Sequence, residues 1–222
     1  MLDRLLDVFA PHICCSCGRQ NALLCEYCHY DIVSEAFHRC IVCLKPTVDT
    51  NLCSRCRPAA VYDDAWCVNE RSDGLKELID RYKFDRARAG AAILASLLDE
   101  AMPQLPTDTV VTYIPDIASH RRQRGYDHMA LVAKLLARRR SYPCRPLLVR
   151  ETSLSQRGAS KVERAKRQAG AFRVDETIDR PTLLIDDIYT TGATINAGTA
   201  AIRAVSGQPL FVAVVARQPF DR

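Results

Sequence analysis

Four C-x2-C pairs lie before residue 57 of this 222-residue chain: Cys14–Cys17, Cys25–Cys28, Cys40–Cys43 and Cys53–Cys56. A C-x2-C turn aims two thiolates at one ion, and two such turns complete a tetrahedral S4 site for zinc. Connections of seven, eleven and nine residues separate successive pairs. Local pairing is the simplest arrangement, with Cys14, Cys17, Cys25 and Cys28 on one Zn2+ and Cys40, Cys43, Cys53 and Cys56 on a second. Interleaved pairing stays geometrically open, and Cys15 offers a C-x-C alternative to Cys14. Four thiolates leave no position for water, so both zinc ions are expected to be structural. A redox role fits poorly, because the pairs recur without a surrounding βαβ pattern.

The second chemical signal is Leu183–Thr194, LLIDDIYTTGAT. Its apolar start, after Pro181, is too short for a helix and reads as a fully buried parallel strand. Two carboxylates, Asp186 and Asp187, stand at the end of that run. In open α/β sheets ligands bind outside the carboxyl ends of the strands. Thr190, Thr191, Gly192, Ala193 and Thr194 then lead into a helical pattern from Ile195, and the free N–H groups of a helix start attract phosphate. The threonine hydroxyls add donors, and Gly192 lets the backbone turn closely around an anion. Asp186 and Asp187 would accept hydrogen bonds from vicinal hydroxyls or contact a hydrated Mg2+, so a sugar phosphate fits the set. Simple helix capping explains one aspartate and one threonine and leaves the second carboxylate unexplained. The chain has no G-x4-G-K-[ST] and no G-x-G-x-x-G, which disfavours a P-loop ATPase and a dinucleotide fold.

Elements must hold these residues in place. Thr109–Ile114 and Leu210–Ala216 read as further buried strands. Helical spacing runs from Met129 through Leu131, Val132, Leu135 and Leu136, and again from Ile195 to Val205. Alternating strands and helices predict an open, mostly parallel α/β sheet with helices on both faces and right-handed crossovers. Nine of the eleven cysteines fall between Cys14 and Cys56, so the expected division is a cysteine-rich module over 1–57 and the sheet domain over 58–222. Leu2, Leu5, Leu6 and Phe9 follow the spacing of a short amphipathic helix.

With 48% hydrophobic and 26% charged residues, a folded chain is expected rather than a disordered one. No apolar run approaches the roughly 18 residues of a membrane-spanning helix, and the first residues lack the pattern of a signal peptide. A cytoplasmic location with reduced thiols is expected. The net charge of +5 is unevenly spread: residues 120–173 hold fifteen Lys and Arg against three Asp and Glu. Such a field suits a polyanion, with Tyr126 and Tyr142 as candidate stacking platforms for single-stranded DNA. Arg138, Arg139 and Arg140 read as a solvated helix end that complements the macrodipole.

LLIDDIYTTGAT resembles the phosphoribosyl-pyrophosphate (PRPP) motif of type I phosphoribosyltransferases. The whole chain resembles the ComF family, in which a zinc module precedes such a domain. FAPHICCSC is similar to the family's opening Phe, Pro and C-x2-C, and LKELIDRYKF to its first helix and Lys-Phe. IPDIASHRRQRGYDHMALVAKLLA and SQRGASKVERAKRQAGAF are similar to its later landmarks. Where the family carries Asn-Gln this chain has Asp127-His128, and Arg167 replaces an Asn. Thr190 stands where some purine-specific relatives carry an acidic residue.

The resemblance implies a double zinc-ribbon module before a type I phosphoribosyltransferase-like domain. It places the 5′-phosphate of PRPP on Thr190–Thr194 and the ribose hydroxyls on Asp186 and Asp187. The diphosphate would face Pro115–Arg124, with Mg2+ bridging it to the sugar. Arg121 and Arg124, with Arg122, would stabilise departing pyrophosphate, and residues 153–167 would close as a lid over transfer to a nitrogen nucleophile. It equally implies an alternative: a non-catalytic PRPP sensor that handles single-stranded DNA alongside proteins of the competence machinery.

Overall fold

The computed structural model describes residues 12–84, 89–151 and 171–219. The Leu2–Phe9 pattern and the 153–167 segment lie outside the described residues. The elements follow one another as α1 (Glu26–Ser34), β1 (Asp64–Glu70), α2 (Asp73–Phe84), α3 (Gly90–Glu100), β2 (Val110–Tyr113) and α4 (Ala118–Arg124). Then come α5 (His128–Arg140), β3 (Val149–Arg150), β4 (Phe172–Arg173), β5 (Thr182–Tyr189), α6 (Ala193–Arg203) and β6 (Leu210–Arg217).

Four strands form one sheet in the order β1-β6-β5-β2, every neighbour pair parallel. A short antiparallel pair, β3 with β4, stands apart. Successive side chains on a strand point to opposite faces, and both faces are covered. Leu183, Ile185, Ala213 and Val215 pack against α2, α3 and α5. Leu184, Val212 and Val214 face the other way, toward Ile195 and Ile202 of α6. That double burial is why β5 and β6 read as continuous apolar runs rather than alternating ones. The expected parallel α/β sheet with helices on both faces is the fold of this chain.

The boundaries differ in one informative place. β5 does not end at the aspartates but runs on to Tyr189, its last two residues still paired with Ala216 and Arg217 of β6. On its other side the last β2 residue, Tyr113, pairs with Ile185. The aspartates therefore begin where β2 stops, so one flank of β5 is supported and the other opens. Helices α5 and α6 leave this point toward opposite faces, which makes it the switch point of the sheet. Strand β1 carries no clear sequence signal, because Asp64 on one side and Asn69 and Glu70 on the other leave only the short apolar run Ala65–Val68.

The cysteine-rich segment packs onto the sheet. Cys14, Leu24, Cys25 and Cys28 join the core on the α2/α3 face, while Cys40, Ile41 and Leu52 join the core on the α6 face. The two halves thus sit on opposite faces of the sheet. Backbone hydrogen bonds stitch the second half to β1, with Asn51 N–H donating to Ala65 O at 2.9 Å. The Asn51 side chain takes the Cys67 N–H at 2.8 Å.

The triple arginine at the end of α5 is not a uniformly solvated helix end. Arg140 is buried, with Nε 2.6 Å from Asp99 Oδ1 and its fork donating to the carbonyls of Asp99, Met102 and Pro103. It satisfies carbonyls left open at the end of α3. Arg139 pairs with Asp99 at 3.2 Å, and Arg138 is exposed. Tyr142 is also buried, its hydroxyl bonded to Leu105 N–H and O, so it offers no face for stacking a base.

Candidate functional site

The opening beside β5 is a cleft of about 260 Å³. Its three carboxylates come from two places: Asp186 and Asp187 from β5, and Asp116 from the loop after β2. Its cations are Lys83 at the end of α2, Arg124 at the end of α4 and Arg150 of β3, with His128 opening α5. Local signals fix several of them. Gly125, at φ 80°, ends α4 with its N–H on Arg121 O, the left-handed cap that glycine tolerates. Asp127 then caps α5 by accepting from Ala130 N–H at 3.2 Å, while its other oxygen takes the Asp116 N–H at 2.9 Å.

A connected set of ion pairs crosses the cleft. Lys83 Nζ lies 2.5 Å from Asp187 Oδ2, and His128 Nε2 lies 2.6 Å from the same oxygen. His128 Nδ1 faces Asp116 Oδ2 at 3.3 Å, which Arg124 also reaches at 2.6 Å. Burial opposes charge on His128, but its bonds to Asp116 and Asp187 prevail and raise its pKa to about 9. Burial likewise opposes charge on Asp187, yet His128 and Lys83 hold it well below the usual carboxylate range. Asp186 behaves oppositely: burial, then the neighbouring Asp187 charge, push it up to about 7. Two adjacent carboxyls thus differ in protonation because only one has cationic partners in contact.

The turn after β5 is shaped for close approach. Gly192 has φ 80° and precedes the first residue of α6, and a Cβ there would lie 2.1 Å from the Tyr189 hydroxyl. Both conformation and space therefore require glycine. Thr190, Thr191 and Thr194 are exposed, and Ala193 is half-buried. Thr194 lines the same cleft as the aspartates. The eleven-residue α6 directs its free N–H groups to this end, where an anion is favoured.

Of the residues singled out from sequence, the structure brings Asp186, Asp187, Thr194 and Arg124 to one cleft. Arg121 and Arg122 are exposed on α4 and do not line it. Arg150 has no motif to mark it, and His128 stands out in the sequence only where Asp127-His128 replaces the family's Asn-Gln. Arg150 is held by Pro115 O at 3.1 and 3.0 Å and stacks 4.7 Å from the Phe172 ring centroid. The sequence cue for Lys83 is the Lys-Phe that resembles the family's, and for Asp116 its place in the Pro115–Arg124 segment; neither cue shows the contacts with Asp187 and His128.

The cysteines form two four-sulfur groups, Cys14/Cys17/Cys25/Cys28 and Cys40/Cys43/Cys53/Cys56, each with its ligand atoms within 4.8 Å of one another. Pairing is local rather than interleaved, and Cys15 belongs to neither group. Cys17 and Cys25 sulfurs lie 3.7 Å apart, and Cys43 and Cys53 sulfurs 3.6 Å. Zn–S bonds near 2.3 Å in a tetrahedron put sulfurs roughly 3.8 Å apart, so both groups fit Zn2+. The halves repeat one turn: Gly18 N–H donates to Cys14 O and Leu44 N–H to Cys40 O, and both residues have positive φ. His29 is engaged elsewhere, with Glu100 at 2.8 Å.

No family model matches the chain. Individual relatives do. It is 26% identical over 226 residues to competence protein F of Haemophilus influenzae, covering 96% of this chain and 93% of that protein. It is 27% identical over 187 residues to the competence protein ComFC of Streptococcus pneumoniae, covering 79% of each. A third relative, ComFC of Bacillus subtilis, is 25% identical over 188 residues, with 78% and 75% covered. Three relatives of one kind match along most of the sequence, and the Haemophilus match spans nearly the whole chain, cysteine groups and aspartate turn included, so the chain is similar to the ComF competence proteins over most of its length.

Proposed function

We propose that the cleft binds PRPP with Mg2+ and that the protein is a phosphoribosyltransferase of nucleotide or nucleoside metabolism. One observation carries this reading: two adjacent carboxyls open where β2 stops, directly before a glycine-shaped turn at the start of α6. That juxtaposition offers acceptors for a diol and N–H donors for a phosphate within a few residues. Asp187 stays charged and accepts strongly. Asp186, with its pKa pushed up to about 7, can accept a hydroxyl proton or share its own.

Lys83, Arg124 and Arg150 supply the positive charge that a diphosphate requires as it departs. The cleft's oxygen donors suit Mg2+, which dehydrates reluctantly and is held largely through phosphates and its own waters. When bound with the ligand, it would neutralise the diphosphate, with Asp186 and Asp187 accepting from its waters. The chain's own part is to hold the ribose by Asp186 and Asp187 and the 5′-phosphate by the Thr190–Thr194 turn. The aspartates sit on β5 and the turn joins β5 directly to α6, so the anomeric carbon is presented in one orientation to a nitrogen acceptor.

A second reading is a PRPP-sensing protein that handles single-stranded DNA. Its support is that the relatives are all named competence proteins, together with the exposed Arg121, Arg122 and Arg138. Under it the protein works beside competence-machinery partners, and the expected site is cytoplasmic. No described helix is long and apolar enough to cross a membrane. Calorimetric titration with Mg2+-PRPP, followed by pyrophosphate release with and without nitrogenous bases, tests the first reading. Binding without acceptor-dependent release favours the second, and no binding rejects the shared core of both.

A further inference from the structure

The second cysteine group and the Thr190–Thr194 turn lie on the same face of the sheet, and one buried arginine joins them. Arg217, the last residue of β6, is 1% exposed. Its Nε donates to Ile41 O at 2.7 Å, its Nη1 to Tyr189 O at 3.3 Å, and its guanidinium lies 5.1 Å from the Tyr189 ring centroid. Ile41 directly follows Cys40, and its N–H donates to Asn51 O at 2.7 Å, across to the other half of the same zinc-binding unit. Tyr189 ends β5, and its hydroxyl occupies the space where a Gly192 side chain would go. Cys40, Ile41, Tyr189 and Ile195 share one apolar cluster. The first cysteine group packs on the opposite face, among Leu75, Leu78 and Leu94.

We propose that the second zinc site positions the phosphate turn through Arg217, while the first zinc site does not. Metal at Cys40, Cys43, Cys53 and Cys56 fixes the backbone of Ile41, since structural zinc binding and local folding are one process. A buried guanidinium needs its acceptors, so release of Ile41 O displaces Arg217. Tyr189 follows, because Arg217 holds both its carbonyl and its ring. Gly192 has no clearance from that ring, so the turn cannot keep its shape when the ring moves. The ligand assignment rests on the PRPP reading above; the mechanical link between Ile41, Arg217 and Tyr189 does not. Arg217 is thus a positioning residue.

Cys43→Ser and Cys17→Ser each remove one ligand from one group. Metal analysis should show the loss of one zinc in each, and amide hydrogen exchange over residues 189–196 reads the turn without any ligand. Cys43→Ser should speed that exchange at least tenfold and weaken Mg2+-PRPP binding at least tenfold. Cys17→Ser should leave both within twofold of wild type. Arg217→Lys keeps all eight ligands but loses the planar fork, and should loosen the same amides; it decides the matter if Cys43→Ser fails to fold. Unchanged exchange over 189–196 in folded Cys43→Ser or in Arg217→Lys overturns the proposal, as does equal loosening by both cysteine variants. A wild type that does not bind Mg2+-PRPP rejects the ligand reading, and the exchange comparison still decides the coupling.

Discussion

His128 Nε2 lies 2.6 Å from Asp187 Oδ2, on the oxygen that Lys83 reaches at 2.5 Å. The carboxylate expected to take a sugar hydroxyl is therefore already paired with two cations inside the protein. Such a network keeps Asp187 ionised in a buried position, where an isolated charge would be expelled. It also means that a ligand must exchange partners with Lys83 and His128 rather than enter an idle site.

Stability should carry the signature of His128. Its folded pKa of about 9 exceeds the unfolded value near 6.5. The folded state thus holds the proton more tightly, and the contribution is fully present below about pH 6.5 and lost as pH rises through about 9. The difference in unfolding free energy between wild type and His128→Gln should shrink by about 3 kcal/mol from pH 6 to pH 9.5. Urea unfolding of both proteins at the two pH values measures it. A constant difference would show that His128 does not titrate as its partners require.

The two aspartates should respond differently to removal of charge. Asp186 is driven toward its protonated form by burial and by Asp187, with its pKa pushed up to about 7, so near neutral pH Asp186→Asn replaces a partly protonated group, which ionises to accept from the ligand, by a neutral one. It should alter stability by less than about 1 kcal/mol yet weaken Mg2+-PRPP binding by roughly 1.5–3 kcal/mol through a lost charge-assisted bond. Asp187→Asn leaves Lys83 and His128 without their shared carboxylate and should cost about 3–5 kcal/mol of stability. Thermal melts and calorimetry on the single variants separate these effects, which the double variant would confound. Unchanged PRPP affinity in folded Asp186→Asn rejects the assignment of the diol site.

What the sequence showed and what it hid follow from how far each signal reaches along the chain. C-x2-C turns and the DD-x2-TTG turn are local: their chemistry is complete within a few residues, and the structure assembles them as pairs and as a strand-to-helix turn. Lys83, Asp116, His128 and Arg150 meet only because α2, β2, α5 and β3 converge, with sequence separations that no periodicity records. The placement of the cysteine halves on opposite faces was equally hidden, because spacing fixes which cysteines share an ion but not which surface the unit covers. Arg140 misled for a related reason. A basic residue in the last turn of a helix has a local explanation, and its burial depends on the end of α3, about 40 positions away.

Arg140 gives the next prediction. Its fork serves three backbone carbonyls and Asp99, so Arg140→Met strands buried acceptors and should destabilise the protein by about 3–5 kcal/mol. Arg138→Met, at an exposed site two residues earlier, should change stability by no more than about 0.5 kcal/mol. Denaturant midpoints of the two variants give the contrast. Similar midpoints would mean that Arg140 is solvated after all.

Nucleic-acid binding is the remaining expectation, and the structure narrows where it can be tested. Residues 120–173 keep their excess of positive charge, but Arg140 is buried, Arg139 is paired with Asp99 and Arg124 with Asp116. Charge reversal at those three would disturb the fold or the cleft before it reported on DNA. Arg121, Arg122 and Arg138 are exposed, and their reversal leaves the cleft lining untouched. Single-stranded DNA affinity should fall with salt at a log–log slope of roughly −0.7 per phosphate contact. Arg121→Glu, Arg122→Glu and Arg138→Glu together should flatten that slope by up to about 2, while Mg2+-PRPP binding stays within twofold of wild type. Tyr142 is buried and Tyr126 donates its hydroxyl to Tyr82 O at 3.0 Å, so base stacking contributes little and sequence preference should be weak. Fluorescence anisotropy with unstructured oligonucleotides across a salt series makes the measurement. A salt-independent signal, or none at low salt, removes DNA handling and leaves the phosphoribosyltransferase reading to be decided by its acceptor.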